Sequence, residues 1–367
     1  MTRLLPLLGL FLLLGATANA QAPPPAPAPQ QAAPRQQPGA PTRIITVTRQ
    51  VIVPVTVKDS QGQLVGDLAK DEFRIFADGV EQKILGFSSE AVPLSAVVLL
   101  DNDLNERVAS QVQKSLTTIA AGFGPSDEVA LVTYDQFPET VFDFSFNNDA
   151  LFTSLKRLEL GSHNGAVNAG PTTSGPIGAG PPPSTAGPIG SGPPPAASVQ
   201  LHGSQRYKNT DALNDALFAA GDMLKARGRE RRKIIFLISD GTNGGTNEHS
   251  FDETLRSLLV GDISVFSISV TRSLPVGKSL VQKGAAELEK YANGTGGDTF
   301  FAGKQPDLER LYSAVTEQAR NEYTLTFSPE DITKGQDYHP IEVRVRRPDL
   351  SITTRGGYYE SAIAPGR

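Results

Sequence analysis

Short apolar runs that alternate with helically spaced apolar residues constrain this chain more than any other feature. Residues 96–100 (AVVLL), 129–132 (VALV), 234–238 (IIFLI) and 263–270 (ISVFSISV) are nearly unbroken in apolar or small side chains. That is the pattern of strands buried on both faces, and such strands belong to parallel sheets covered by helices. Between them Val108, Val112, Leu116, Ile119 and Phe123 recur at helical spacing, as do Leu213, Leu217, Ala220 and Leu224. Further helices are predicted around 280–291 and 308–319, flanking a short strand at 299–301. Residues 91–319 therefore read as a doubly wound, Rossmann-like α/β domain, whose sites lie beyond the carboxyl ends of its strands.

The flanks follow a different period. Residues 43–90 contain Val51, Val53, Val55 and Val57 in alternation, then Phe73-Arg74-Ile75-Phe76 and an Asp78-Gly79 turn signal. Residues 320–362 contain alternating Tyr323, Leu325 and Phe327, then Ile341, Val343 and Val345. Neither flank is long enough to make a comfortable sheet alone. Together they predict one β-sandwich, with the α/β domain inserted between its two halves.

Two low-complexity segments and a leader complete the organisation. Arg3, an apolar run from residue 4 to 14 and the small-x-small Ala18-Asn19-Ala20 read as a signal peptide cleaved after Ala20. An exported protein, periplasmic or extracellular, with no membrane span after cleavage is the expectation. Residues 21–42 form a Pro/Ala/Gln-rich linker, and residues 161–205 a Gly/Pro-rich insert whose GPIGAGPPP recurs as GPIGSGPPP. Both are too poor in large apolar side chains to offset their ordering entropy.

Composition removes several function classes. A net charge of -5 argues against a nucleic-acid partner. The absence of cysteine excludes disulfides and thiolate chemistry. His163, His202, His249 and His339 are scattered, with no pair at zinc-ligand spacing. Arg227, Arg229, Arg231, Arg232 and Lys233 read as a basic helix C-terminus complementing the dipole, or as a patch for an anionic partner. Gly241 to Gly245 reads as a flexible loop without a phosphate-loop lysine.

The acidic residues fall where sites are expected. The first strand runs into Asp101-Asn102-Asp103-Leu104-Asn105 and the third into Ser239-Asp240-Gly241, while Thr210-Asp211 opens the helix before the third strand. Oxygen ligands converging on one sheet edge suit a hard cation, calcium or magnesium. In element order and motif placement, residues 91–319 resemble the von Willebrand factor A family. The flanks (VPVTV, FRIFADG, YTLTFSP and RGGYY) resemble those of an exported bacterial subgroup.

That resemblance implies a metal-ion-dependent adhesion site of the form Asp-x-Ser-x-Ser, Thr and Asp, and a role in protein–protein interaction or assembly at the cell envelope. Carried over, Asp101 and Asp240 match the two acids. Asp103 and Asn105 replace the serines, and Asp211 stands at the threonine position with Thr210 one residue early. Four carboxylates around one divalent ion would overcompensate it and repel an acidic ligand. The site is degenerate, and two outcomes stay open: one calcium or magnesium ion held by protein alone, or none, leaving a metal-free structural scaffold. The partner, an unidentified protein, and the oligomeric state are not specified.

The Asp101-x-Asp103 ending also resembles haloacid dehalogenase phosphatases, which would make Asp101 a nucleophile, Asp103 a general acid and Ser239 a phosphate ligand. Asn105 departs from that pattern, no paired acidic motif follows the next strand, and the β flanks stay unexplained. The resemblance to the interaction family therefore carries the expectation of a non-enzyme.

Overall fold

The computed structural model describes residues 50–161, 212–244, 247–270, 278–302, 307–329 and 337–360, all within one compact unit, Val47–Arg367. The predicted signal peptide, linker and most of the Gly/Pro-rich insert, together with Thr210 and Asp211, lie outside the described residues.

The chain opens with β1 (Val51–Lys58), β2 (Phe73–Ala77), β3 (Val80–Gln82) and β4 (Ile84–Ser88). Next come β5 (Leu94–Asp101), α1 (Glu106–Ser115), α2 (Thr118–Ala121), β6 (Glu128–Tyr134), β7 (Pro138–Ser145) and α3 (Asn148–Arg157). They are followed by α4 (Leu213–Lys225), β8 (Arg232–Ser239), α5 (Phe251–Val260), β9 (Ile263–Ser269), α6 (Lys278–Thr295), β10 (Thr299–Phe301) and α7 (Asp307–Arg320). The chain closes with β11 (Tyr323–Phe327), β12 (Tyr338–Val345), β13 (Ser351–Thr354) and β14 (Gly357–Tyr359).

The central sheet has the order β10-β9-β8-β5-β6-β7, parallel except for the antiparallel edge strand β7. Counted within the domain this is 3-2-1-4-5-6, the doubly wound order with its reversal between the first and fourth strands, β5 and β8. Every residue of β5 and β6 is buried, which explains why neither sequence alternates. In β5, Ala96, Val98 and Leu100 face a core layer shared with α1, α2, α3 and α7. Val97 and Leu99 face the opposite layer, built with α4, α5 and α6.

The flanking strands form two four-stranded sheets, β13-β1-β11-β4 and β14-β12-β2-β3. One apolar cluster fills the space between them: Val51, Val53, Val55 and Val57 from the first half meet Tyr323, Leu325 and Phe327 from the second. Strand β1 pairs directly with β11, so residues more than 260 positions apart lie side by side, with Thr56 Oγ1 donating to Glu322 Oε1 across that |i−j| of 266. The sandwich closes only when both flanks are present.

The basic run, expected as a dipole-complementing helix end, supplies ion pairs inside the α/β domain and, through Arg232, a tie to the sandwich. Helix α4 ends at Lys225, before the run begins. Arg227 pairs bidentately with the buried Glu128, and Arg231 lies 3.5 Å from the same carboxylate. Arg232 reaches the Glu322 carbonyl, Thr324 Oγ1 at 2.8 Å and the Glu322 carboxylate at 3.4 Å. From the sandwich side, Arg355 pairs with Asp262 at 2.8 Å and donates to the Leu259 carbonyl.

Candidate functional site

Three neighbouring parallel strands end together. In register, Asp101 of β5 stands beside Tyr134 of β6, and Leu100 beside Ile238 of β8, so Asp101 and Ser239 follow each other at the same edge. A polar chain links these last residues. The Tyr134 hydroxyl donates to Ser239 Oγ at 2.9 Å, and Ser239 donates to Asp101 Oδ2 at 2.8 Å. Ser239 Oγ also accepts the Gly241 amide, and Asp101 Oδ1 accepts the Asp103 amide at 3.0 Å.

Asp101 is 1% exposed. Burial, followed by repulsion from the nearby Asp240, pushes its carboxyl up to about 7, against which the hydrogen bonds from Ser239 and from the amides of Asp103 and Asp240 act. Among the described sequence-predicted residues, Asp101 and Asp240 are therefore brought together. The Asp103 amide closes a turn onto Asp101. The Asn105 side chain caps α1, accepting from the Val108 amide, so its oxygen satisfies a helix-end donor. Asp240 Oδ1 accepts the Thr242 amide at 2.8 Å.

The loop after β8 is pinned in its described part, which differs from the flexible segment expected from its glycines. Gly241 has φ +75°, and a Cβ there would lie 2.1 Å from the Gly284 carbonyl oxygen; a Cβ on Gly284 would lie 2.5 Å from the Asp240 carbonyl oxygen. Backbone-to-backbone contact between this loop and α6 thus needs glycine on both sides.

Further along, Asn247 Oδ1 accepts the amides of Asn214 and Asp215 and so caps α4 from a distance. Asn243 bridges Asn247 to Asn214, whose Oδ1 also accepts the Tyr291 hydroxyl. Asp215 in turn receives the amides of Glu248 and His249, and the His249 ring stacks on Phe218 at 3.7 Å. Sequence reasoning missed Tyr134, Asn214 and Asn247. A polar residue closing an otherwise apolar strand was the available signal for Tyr134; the asparagines become visible only once the loop lies on α4.

Among the described residues no group of three or more His, Cys, Asp or Glu side chains is placed to hold a metal ion. Of the described candidate ligands, Asp101, Asp240 and Asn105 each accept hydrogen bonds from the protein, while Thr210 and Asp211 lie outside the described residues.

A doubly wound sheet with one antiparallel edge strand, carrying an acid at the end of its first strand and Ser-Asp-Gly after its fourth, is the arrangement implied by the resemblance to the von Willebrand factor A family. No protein-family model matches the sequence, and no curated protein matches it. Solved structures similar to it include a von Willebrand factor type A protein from Catenulispora acidiphila, at 8% identity over 88% of this chain and 77% of that one, TM-score 0.43. Another is proximal thread matrix protein 1 of the mussel byssus, at 12% identity and TM-score 0.41, covering 64% of this chain and 49% of that one. The chain thus spans about half the length of the mussel protein. BatB from Bacteroides thetaiotaomicron matches at 10% identity over 62% of this chain and 98% of that one, TM-score 0.36.

Proposed function

We propose that this protein is an exported, non-enzymatic interaction module. It engages a protein partner at the cell envelope through the loops at the carboxyl edge of its A-type domain, and those loops are organised by hydrogen bonds without a resident ion. The sealing of Asp101 carries this reading. A carboxylate nucleophile must present an ionised oxygen to its substrate, whereas this one is buried, sits near half-protonation at neutral pH and accepts Ser239 and backbone donors. The same sealing weighs against a metal bridge to a partner's carboxylate, because both Asp101 oxygens are already taken up by Ser239 and the Asp103 amide.

What the edge does offer is an aromatic anchor. Phe137, in the turn just after Tyr134, is 73% exposed. Exposed aromatics beside rigid elements are frequent anchors of protein interfaces. Among the described residues, no helix is long and apolar enough to cross a membrane.

The test is photo-crosslinking in the producing cell envelope, with a photoreactive residue at position 137 or at Ser126, which precedes β6 at the opposite edge. A discrete protein adduct from position 137 and none from position 126 is the expected result. Equal labelling from both would contradict a carboxyl-edge interface. Turnover of a generic phosphoester that Asp101→Asn abolishes would restore the phosphatase reading.

A further inference from the structure

A second concave site lies at the other end of β8, where the sandwich meets the α/β domain. This cleft encloses about 260 Å³ and is walled by Ile52 and Pro54 of the sandwich with Val92 and Ile263 of the α/β side. That is just below the usual range of small-molecule pockets, roughly 300–1,000 Å³. Its cations are not equivalent. Arg232 is committed to Glu322 and Arg355 to Asp262, each with backbone carbonyls besides; Arg231 lies 3.5 Å from Glu128 and donates to the Leu94 carbonyl, but its buried Nε makes no hydrogen bond.

Lys233 differs. It is 7% exposed, and its ammonium makes one long hydrogen bond, 3.5 Å, to the Gly261 carbonyl. A buried ammonium with so little compensation is poorly satisfied. Burial lowers its affinity for the proton; Asp262 and Glu230 oppose that shift and Arg229 adds to it.

We infer that this cleft binds a small amphiphilic monoanion, whose carboxylate is received by Lys233 with Arg229 at the rim and whose apolar body lies on Ile52, Pro54, Val92 and Ile263. The charge count selects a single negative charge. Among the described residues Lys233 is the buried cation of the cleft with no carboxylate in ion-pair contact, and a second ligand charge would fall among Asp262 and Glu230. The apolar walls select against a bare inorganic anion, which would leave them wet.

Titration calorimetry of the full chain with octanoate, octan-1-ol and inorganic phosphate tests the assignment. Octanoate binds saturably, and octan-1-ol binds at least about tenfold more weakly, the scale of one charge-assisted hydrogen bond. Equal affinity for the alcohol, tighter binding of phosphate, or no octanoate binding up to about 10 mM overturns the proposal. Lys233→Met is expected to remove the preference for octanoate over octan-1-ol and to leave alcohol binding unchanged; a preserved preference in the folded variant counts against it. Should that variant fail to fold, Val92→Trp, which fills the cleft from another wall, must abolish octanoate binding while keeping the native circular dichroism spectrum. Native octanoate affinity in folded Val92→Trp overturns the site.

Discussion

Replacing Asp101 by Asn turns the sealed carboxyl into a measurable pH dependence of stability. In the folded protein this group is raised to about 7 from an ordinary 3.8, chiefly by burial. A raised carboxyl binds its proton more tightly folded than unfolded. Its stabilising share is therefore fully present below pH 3.8 and is lost as pH rises through 7. At about 1.4 kcal/mol per unit, the accumulated loss is roughly 1.5–2 kcal/mol at pH 5 and about 4 kcal/mol at pH 8. Asparagine keeps the shape and has no proton to lose, but mismatches one donor at Ser239, a constant cost of about 1–2 kcal/mol. Relative to the native chain, Asp101→Asn should therefore gain roughly 2–3 kcal/mol between pH 5 and pH 8. Urea denaturation at both pH values, in the presence of a chelator, measures this difference. A variant whose stability offset is the same at both would refute the argument that Asp101 is buried and near half-protonation.

Three other perturbations probe the framework around the site. Gly284→Ala forces a Cβ to within 2.5 Å of the Asp240 carbonyl oxygen; it should cost roughly 1–3 kcal/mol and loosen the loop after β8, read as faster amide exchange at Gly241 and Thr242. Asn247→Ala removes the remote cap of α4, with an expected loss of about 1 kcal/mol and faster exchange confined to the amides of Asn214 and Asp215. Arg232→Ala leaves the buried Glu322 without its cation; burial already raises that carboxyl to about 7 despite Arg232. The variant should lose about 3 kcal/mol at pH 8 and less at pH 5, where Glu322 is protonated, as denaturation at the two pH values would show.

The parallel strands were legible because burial on both faces demands unbroken apolar runs, and β5, β6, β8 and β9 are such runs. The pairing of the two flanks was legible from alternation that neither could bury alone. Strand β7 was not. As an edge strand it exposes Glu139, Thr140, Val141 and Asp143, so its sequence, PETVFDFS, carries no clean period. The helical spacing from Val108 to Phe123 did not reveal that α1 stops at Ser115 and α2 starts at Thr118. At the site, the place of Asp101 and Asp240 at the carboxyl edge was legible from their position after buried strands. Their environment was not, because it depends on Tyr134 and Ser239, which approach Asp101 only through sheet register. The basic run misled for a similar reason: its partners Glu128, Glu322 and Thr324 come from segments distant in sequence.

The central claim is that the carboxyl edge is held together by Ser239, Tyr134 and backbone donors in place of an ion. Calorimetric titration of the full chain with calcium and with magnesium at pH 7 tests it most directly. The account predicts no saturable binding of either ion below about 1 mM and no change in thermal midpoint on adding a chelator. Micromolar binding of calcium or magnesium that Asp240→Ala abolishes would contradict it.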